Sequence, residues 1–219
     1  MRSRLLLFAL SAFTQNTHAQ DSTVVVDHPA KFIVKLAPLY LLNGYFDQSV
    51  RLSLEYTIGD NHSTQVEYGW YPKGFNEEDV RGYYVGVQLR HFFLSDQYDR
   101  TGIILGFAYK QQHFDTADST WSGPNTANYY QHYTLDKDVF IANVQVFHGT
   151  GLFNNGNLWL EGAVGLGVRY KNVSCNGLTA EEEKNRDFGE SMVLGTTKEC
   201  FGGTRLNLAI DLKMGYAFR

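Results

Sequence analysis

Charged side chains recur at alternate positions in segments whose other positions are apolar. Alternate residues of a β-strand share one face, so these groups would lie together, opposite the apolar face. In a narrow closed barrel, seven basic groups and four carboxylates would meet in the interior, and each carboxylate would need a basic partner or ordered water. We predict an ion-paired plug, with a gate or path for small anions as the alternative. The predicted lumen network comprises Lys35, Arg51, Glu55, Glu67, Arg90, Lys110, Glu161, Arg169, Arg205, Asp211 and Lys213.

The chain has two cysteines, Cys175 and Cys200, both in a segment predicted to be its longest loop. In an oxidising compartment this arrangement favours a disulfide. Closing about 24 intervening residues stabilises a loop by roughly 3 kcal/mol in the chain-entropy model. Zinc binding or a catalytic thiol is disfavoured, because further ligands at zinc-like spacing and a positioned histidine are both lacking.

Histidine and serine side chains near one rim of the predicted barrel raise the alternative of an enzyme that modifies membrane lipid. A Gly-x-Ser-x-Gly turn is missing, and so is a His-x-Ser pair in a late strand. The sequence therefore favours a non-enzymatic protein, and it implies no cofactor and no metal. The residues considered for catalysis are His113, His132, Ser119, Ser122 and Ser174.

The amino terminus has the pattern of a secretory signal peptide. Arg2 and Arg4 precede the apolar run Leu5 to Phe13, and Ala19 is the small residue that signal peptidase requires. The run has roughly half the 20 or so residues that a spanning helix needs, and no other segment is closer to that length. We predict a signal peptide over 1–19, a periplasmic leader over 20–30 and one domain over 31–219.

Composition fits a protein of many strands joined by turns. The chain has 21 Gly, 14 Tyr and 15 Phe but only 4 Pro. Its hydrophobic fraction of 43% is unremarkable, as expected for a membrane barrel in which apolar residues are hidden in alternation. The net charge of -4 does not suggest nucleic-acid binding.

Alternation along the chain predicts eight strands, most of about ten residues, the length that crosses a bilayer when tilted. The last segment is the most regular, with Leu206 to Phe218 on one parity and Arg205 to Arg219 on the other. The first contains Pro38, which cannot donate to a ladder and so marks a bulge or the strand end. The alternating segments are Phe32–Tyr40, Ser49–Ile58, Thr64–Trp70, Gly82–Phe93, Leu105–Lys110, Asp138–His148, Leu158–Tyr170 and Thr204–Arg219.

The predicted connections alternate between short inner turns and longer outer loops, as in outer-membrane barrels. The inner connections are Gly59–His62, Leu94–Thr101 and Gly149–Asn157. The outer connections are Leu41–Gln48, Tyr71–Arg81, Asp115–Lys137 and Lys171–Gly203.

Aromatic residues fall near both ends of the predicted strands, which is typical of the two girdles of a membrane barrel. A soluble ligand-binding barrel, with its apolar stripe inward, is the structural alternative. It is less favoured because the polar stripe is rich in Gly, Ala, Asn and Gln, which suit a narrow lumen. The outer girdle is predicted from Trp70, Tyr83, Tyr109, Phe140 and Tyr170, and the inner girdle from Tyr56, Phe93, Tyr216 and Phe218.

Together these features resemble the small eight-stranded outer-membrane barrels of the OmpA and OmpX type, over essentially all of the mature sequence. The ending Tyr216-Ala217-Phe218 resembles the terminal aromatic signal of that class, although Arg219 follows it. The resemblance implies an all-β, up-and-down transmembrane β-barrel, integral to the outer membrane of a Gram-negative bacterium. It also implies contact with outer-membrane lipid, lipopolysaccharide and the barrel-assembly machinery. Any extracellular partner is left unidentified.

Overall fold

The computed structural model describes residues 30–41, 49–72, 79–95, 99–120, 129–152, 157–177 and 202–218. These residues form one closed antiparallel barrel, in which each strand pairs with its neighbours in sequence and the last pairs with the first. The structure confirms the predicted all-β fold with eight antiparallel strands. The strands are β1 (Phe32–Leu36), β2 (Val50–Ile58), β3 (His62–Trp70), β4 (Asp79–Ser95), β5 (Asp99–Thr120), β6 (Tyr129–Leu152), β7 (Leu158–Asn176) and β8 (Gly203–Phe218).

β1 is shorter than the predicted first strand, because it ends before Pro38. Proline has no backbone N–H to donate to a ladder. The chain forms instead a short 3-10 helix, Pro38–Leu41. This turn brings Tyr40 over the barrel interior, where its ring packs against Arg51.

The strands on one side of the barrel extend well beyond the predicted limits. The segment Asp115–Lys137, predicted as an outer loop, is largely strand, because β5 and β6 stay paired as far as Thr120 opposite Tyr129. The prediction ended these strands where apolar alternation ended. The backbone ladder continues past that point, since its hydrogen bonds do not depend on whether the outward side chains are apolar.

The connection between β2 and β3 is the tightest turn that the structure describes. Gly59 adopts a φ of 66°, in the left-handed region where a side chain is unfavourable. The ladder then resumes at once, with Ile58 opposite His62. The predicted inner turn Gly59–His62 is therefore present, although His62 is already the first residue of β3.

The barrel turns its apolar stripe outward and its charged stripe inward. Leu166 and Leu206 are 68% and 75% exposed, whereas Lys35 and Lys213 are each 1% exposed. This orientation is opposite to that of a soluble barrel with an apolar ligand cavity. The core of the molecule is thus the lumen itself.

Apolar side chains pack in three places along the lumen. We call the end where β1 begins and β8 finishes the terminal end, and the opposite end the loop end. The terminal end is filled by Ala30, Ile33, Trp159 and Ala217. The wall formed by β4 to β7 carries Phe92, Ile104, Phe147 and Ala163. The loop end is filled by Tyr71, Val80, Phe114 and Leu135, which we call the loop-end cluster.

The predicted signal peptide, residues 20–29 of the predicted leader and most of the predicted loop over 171–203 lie outside the described residues. Within the described ranges, helices long and apolar enough to span a membrane are absent.

Candidate functional site

Two groups of buried charges occupy the lumen between the terminal-end and loop-end apolar clusters. We call the first the lower ion cluster; it lies nearer the terminal end. Its Glu161, on β7, accepts hydrogen bonds from Lys35 Nζ at 2.5 Å and from both terminal nitrogens of Arg90 at 2.7 Å. This contact is bidentate, which is the strongest arrangement of an arginine–carboxylate pair. It joins β7 to β4, on the opposite side of the barrel.

Glu55 is the second carboxylate of the lower ion cluster, and it has even more donors. It accepts from Lys35 Nζ, from Arg90 at 3.0 Å and from the Ser63 hydroxyl at 2.8 Å. Arg100 donates a further hydrogen bond to it at 3.2 Å. The burial of this carboxylate is therefore offset by several charge-assisted hydrogen bonds.

Arg100 is a member of the lower ion cluster that the sequence analysis missed, because it was assigned to the connection Leu94–Thr101. Besides Glu55, it contacts the Thr57 hydroxyl and the carbonyl oxygen of Ala30, each at 3.3 Å. Its guanidinium also lies 5.4 Å from the ring centroid of Trp159. Arg100 and Lys110 are an even number of residues apart, so continuing the alternation from Lys110 back along the strand predicts that Arg100 faces the lumen.

The second group, the upper ion cluster, lies closer to the loop end. Lys213 Nζ is 2.7 Å from Glu67 and 2.8 Å from Asp211. Arg51 approaches the other oxygen of Glu67 at 3.6 Å. Lys213 and Asp211 belong to β8 whereas Glu67 belongs to β3, so this pairing also crosses the lumen.

Two tyrosines hold Arg51 between them. Its guanidinium carbon lies 3.5 Å from the ring centroid of Tyr40 and 3.9 Å from that of Tyr84, and its Nε donates to Ser49 at 3.0 Å. Both rings are close enough for cation–π attraction in a desolvated site. Neither tyrosine is among the residues predicted for the lumen.

Both ion clusters act as ties across the barrel. Bonds from Glu161 to Arg90 and from Glu67 to Lys213 each join strands that are three apart in the ring. Removing one partner of such a buried pair leaves an uncompensated charge, which is strongly destabilising. The arrangement therefore stabilises a closed, filled lumen.

The remaining predicted lumen charges lie toward the loop end. Lys110 and Arg169 are buried. Lys137 and Lys171, which lie at the ends of predicted outer loops, are buried beside them. Arg205 is exposed near the start of β8, at the mouth of the barrel. It lies opposite the buried Arg169 and shares the parity of Lys213, so it differs from the other predicted lumen charges in its exposure.

A cavity of about 110 Å³ lies among these side chains. Gly106 and Ala108 of β5 leave it room, because neither has a side chain long enough to fill the lumen. Its lining includes the carboxylates Glu67 and Asp211 of the upper ion cluster. The basic side chains that line it are Arg51, Lys110, Lys137, Arg169 and Lys171.

The predicted outer girdle forms a belt of neighbouring rings on the outward face. Trp70 lies directly opposite Tyr83. The ring centroids of Tyr83 and Tyr109 are 5.9 Å apart, and those of Tyr109 and Phe140 are 5.0 Å apart. Phe140 in turn lies opposite Tyr170. These rings thus run across five adjacent strands.

The predicted inner girdle lies at the terminal end, also on the outward face. Tyr216 and Phe218 make an edge-to-face contact with ring centroids 4.9 Å apart. Tyr56 pairs with Phe32 at 5.1 Å, and Phe93 is exposed on β4. Phe32 is an additional belt residue that the sequence analysis did not assign.

The outward face changes from apolar to polar immediately beyond the outer belt. Tyr109 is followed on its face by Gln111 and His113, and Tyr170 by Asn172 and Ser174. From Tyr83 to Phe93, ten steps of about 3.3 Å tilted by roughly 40° give an apolar band about 25 Å tall. That height equals the apolar band of outer-membrane barrels.

Of the residues considered for catalysis, the structure brings one histidine against a carboxylate. His113 Nδ1 lies 2.6 Å from Asp136, on the outward face beyond the belt. Ser174 lies opposite Asp136 on its other side, so β6 separates the serine from the imidazole. The side chains of Ser119, Ser122 and His132 lie outside the described part of the structure. The described residues contain no group of three His, Cys, Asp or Glu side chains arranged for a metal.

Cys175 lies on β7, where it packs against the loop-end cluster. Cys200 is outside the described residues. The disulfide between them therefore stays a prediction.

Comparisons of the chain with protein-family models, with curated proteins and with solved structures give no match.

Proposed function

We propose that this chain is an integral outer-membrane β-barrel of a Gram-negative bacterium. The observation that carries the proposal is the outward apolar band bounded by an aromatic belt at each end, with the charges on the opposite face. Such a band exposes large apolar side chains, among them Leu166, Val144 and Leu206, to a degree that is unfavourable in water. Contact with acyl chains removes this cost, and the closed ladder satisfies the backbone hydrogen bonds that lipid cannot.

We further propose that the lumen is sealed and that the role of the protein is structural or surface-interacting rather than enzymatic. The lower ion cluster fills the lumen between the apolar residues of the terminal end and the upper ion cluster. Ion flow would require several buried salt bridges to open together. Interaction would then take place at the loop end, where β5 and β6 extend beyond the belt.

The proposed partners follow from this location. Outer-membrane lipid would contact the apolar band. Lipopolysaccharide would contact the polar side chains that follow the outer girdle on the outward face. The ending Tyr216-Ala217-Phe218 closes β8 at the terminal end and is the proposed signal to the barrel-assembly machinery. The proposal assigns no cofactor, no nucleic acid and no particular extracellular partner.

Fractionation of a Gram-negative host that expresses the full chain tests the location. We expect the protein in the outer membrane, migrating differently in boiled and unboiled gel samples because a folded membrane barrel resists detergent. A variant that lacks residues 1–19 is the matched control and should not reach that membrane. Wild-type protein in the soluble fraction, with one unshifted band, would overturn the proposal.

Two further measurements test the role. In planar bilayers we expect no steady conductance from the purified barrel, and a steady current would refute the sealed lumen while leaving the location intact. The mass spectrum of lipid A should be the same in cells with and without the gene. A change in its acylation would instead support an enzyme.

A further inference from the structure

We propose that His62 and His91 form a binding site for one divalent transition-metal ion of the kind that imidazole ligands select, such as Cu²⁺, Ni²⁺ or Zn²⁺. Both side chains lie on the outward face at the terminal end of the barrel. The inference goes beyond the proposed function, because it depends on the geometry of this pair and not on what surrounds the barrel.

The strand ladder holds the two histidines side by side. His62 is the first residue of β3 and lies directly opposite His91 of β4. Side chains that are directly opposite on adjacent antiparallel strands share a face and have Cβ atoms about 4.5–5.5 Å apart. The backbone beside the pair is fixed further, because the Phe92 N–H donates to the Asn61 carbonyl oxygen at 2.8 Å. Backbone pairing therefore preorganises the two side chains.

The ring nitrogens are at the separation that a shared metal ion requires. His91 Nδ1 lies 3.1 Å from His62 Nε2, and the ring centroids are 4.7 Å apart. Two nitrogens bound to one Zn²⁺ at about 2.0–2.1 Å, with about 90–110° between the bonds, are about 2.8–3.4 Å apart. The strands therefore already have the spacing of a two-histidine site, and binding requires only that the rings turn their lone pairs toward the ion.

The hydrogen bond between the rings is compatible with metal binding. When the two nitrogens share a hydrogen bond, one ring donates and the other accepts, so at least one imidazole is neutral. Neutral imidazole is also the form that binds a metal ion. On coordination the donating ring moves its proton to its other nitrogen, so both rings stay neutral and the ion carries the added charge.

The surroundings of the pair suit an ion that keeps several water ligands. His62 is exposed and His91 is partly exposed. The Phe93 ring makes an edge contact with the His91 ring, at a centroid distance of 5.5 Å. Among the residues that the structure describes, three His, Cys, Asp or Glu side chains do not meet at one point, so water would complete the coordination. Two imidazoles favour Cu²⁺ and Ni²⁺ over the hard ions Mg²⁺ and Ca²⁺.

Titration with Cu²⁺ tests the site, since Cu²⁺ is the divalent ion that nitrogen ligands bind most tightly. The barrel, prepared without a histidine tag, is first shown to be folded in detergent micelles by its shift between boiled and unboiled gel samples. Electron paramagnetic resonance should then show one tightly bound Cu²⁺ per barrel with imidazole nitrogen ligands. The thermal midpoint should rise with Cu²⁺ concentration and should not change with Mg²⁺.

Four variants, each checked by the same gel shift, make the result specific. His62→Gln and His91→Gln should each weaken Cu²⁺ affinity about 100-fold, because two linked ligands bind one ion far more tightly than either alone. His113→Gln and His148→Gln remove histidines elsewhere on the outward face and should leave the affinity unchanged. A folded wild-type barrel without saturable Cu²⁺ binding would overturn the proposal, and so would equal affinities in wild type, His62→Gln and His91→Gln. Either outcome would leave the membrane barrel standing.

Discussion

Substitution of Glu161 by glutamine should destabilise the barrel more than any change at an exposed charge. The side chain is 2% exposed and accepts hydrogen bonds from Lys35 and from both terminal nitrogens of Arg90. Glutamine keeps the volume but removes the charge. The lower ion cluster would then hold Lys35, Arg90 and Arg100 against Glu55 alone. Breaking a buried pair in this way costs about 3–5 kcal/mol.

The control is an ion pair on the outward face of the barrel whose charged atoms are similarly close together. Asp136 lies 2.6 Å from His113, but both side chains are about half exposed. Asp136→Asn should therefore cost less than about 1 kcal/mol. A rescue variant adds Lys35→Met to Glu161→Gln, which returns the net charge of the lower ion cluster to its wild-type value. The double variant should recover at least about 1 kcal/mol, the coupling expected between residues in direct contact.

The assay is equilibrium unfolding in urea, with the barrel refolded in lipid vesicles and followed by tryptophan fluorescence. Relative to wild type, the free energy of unfolding should fall slightly in Asp136→Asn and steeply in Glu161→Gln. Two outcomes would show that the lower ion cluster does not stabilise the barrel in this way. One is a Glu161→Gln cost no larger than that of Asp136→Asn, and the other is a double variant less stable than Glu161→Gln.

Three further predictions concern the outward face, the lumen wall and the loop. Leu166→Lys, in the middle of the apolar band, should lower the free energy of unfolding in vesicles by about 2–4 kcal/mol, whereas Asn172→Lys beyond the outer girdle should lower it by at most about 1 kcal/mol. Equal losses for the two variants would contradict the position of the band. Gly165→Ala should cost about 1–3 kcal/mol in urea unfolding, because its new Cβ would collide with the neighbouring strand's backbone, while Gly162→Ala, with open space around it, should stay within about 0.5 kcal/mol. Cys200→Ser should speed protease cleavage within 178–201 and preserve the gel shift of the barrel; identical cleavage rates would argue against the disulfide.

The number of strands and the face on which each side chain lies could be predicted from the sequence, because side chains along a strand alternate with a strict period of two. Leu166 and Arg169 lie on opposite parities, and the structure turns the first outward and the second into the lumen. Strand ends were predicted less well. Beyond the aromatic belt the outward residues become polar, as in Gln111 and Asn172, so the apolar signal stops while the ladder continues.

The pairing of charges within the lumen could not be read from the sequence. Parity states which face a side chain occupies, but not its height relative to a strand on the far side, which depends on the stagger of the closed barrel. Glu161 and Arg90 are 71 residues apart in sequence and meet only because the ring closes. The lumen position of Tyr40 could not be predicted from strand alternation, because Pro38 ends β1 and the following turn brings the ring inward.

Collision accessibility of spin labels shows whether the apolar band of the barrel faces lipid. In a background with Cys175→Ser and Cys200→Ser, labels are placed by Leu166→Cys in the apolar band and by Asn172→Cys beyond the loop-end belt, and the barrel is inserted in vesicles. We expect oxygen, which concentrates in acyl chains, to relax the label at position 166, and a water-soluble nickel chelate to relax only the label at position 172. Free access of the nickel chelate to position 166 would show that the apolar band does not face lipid.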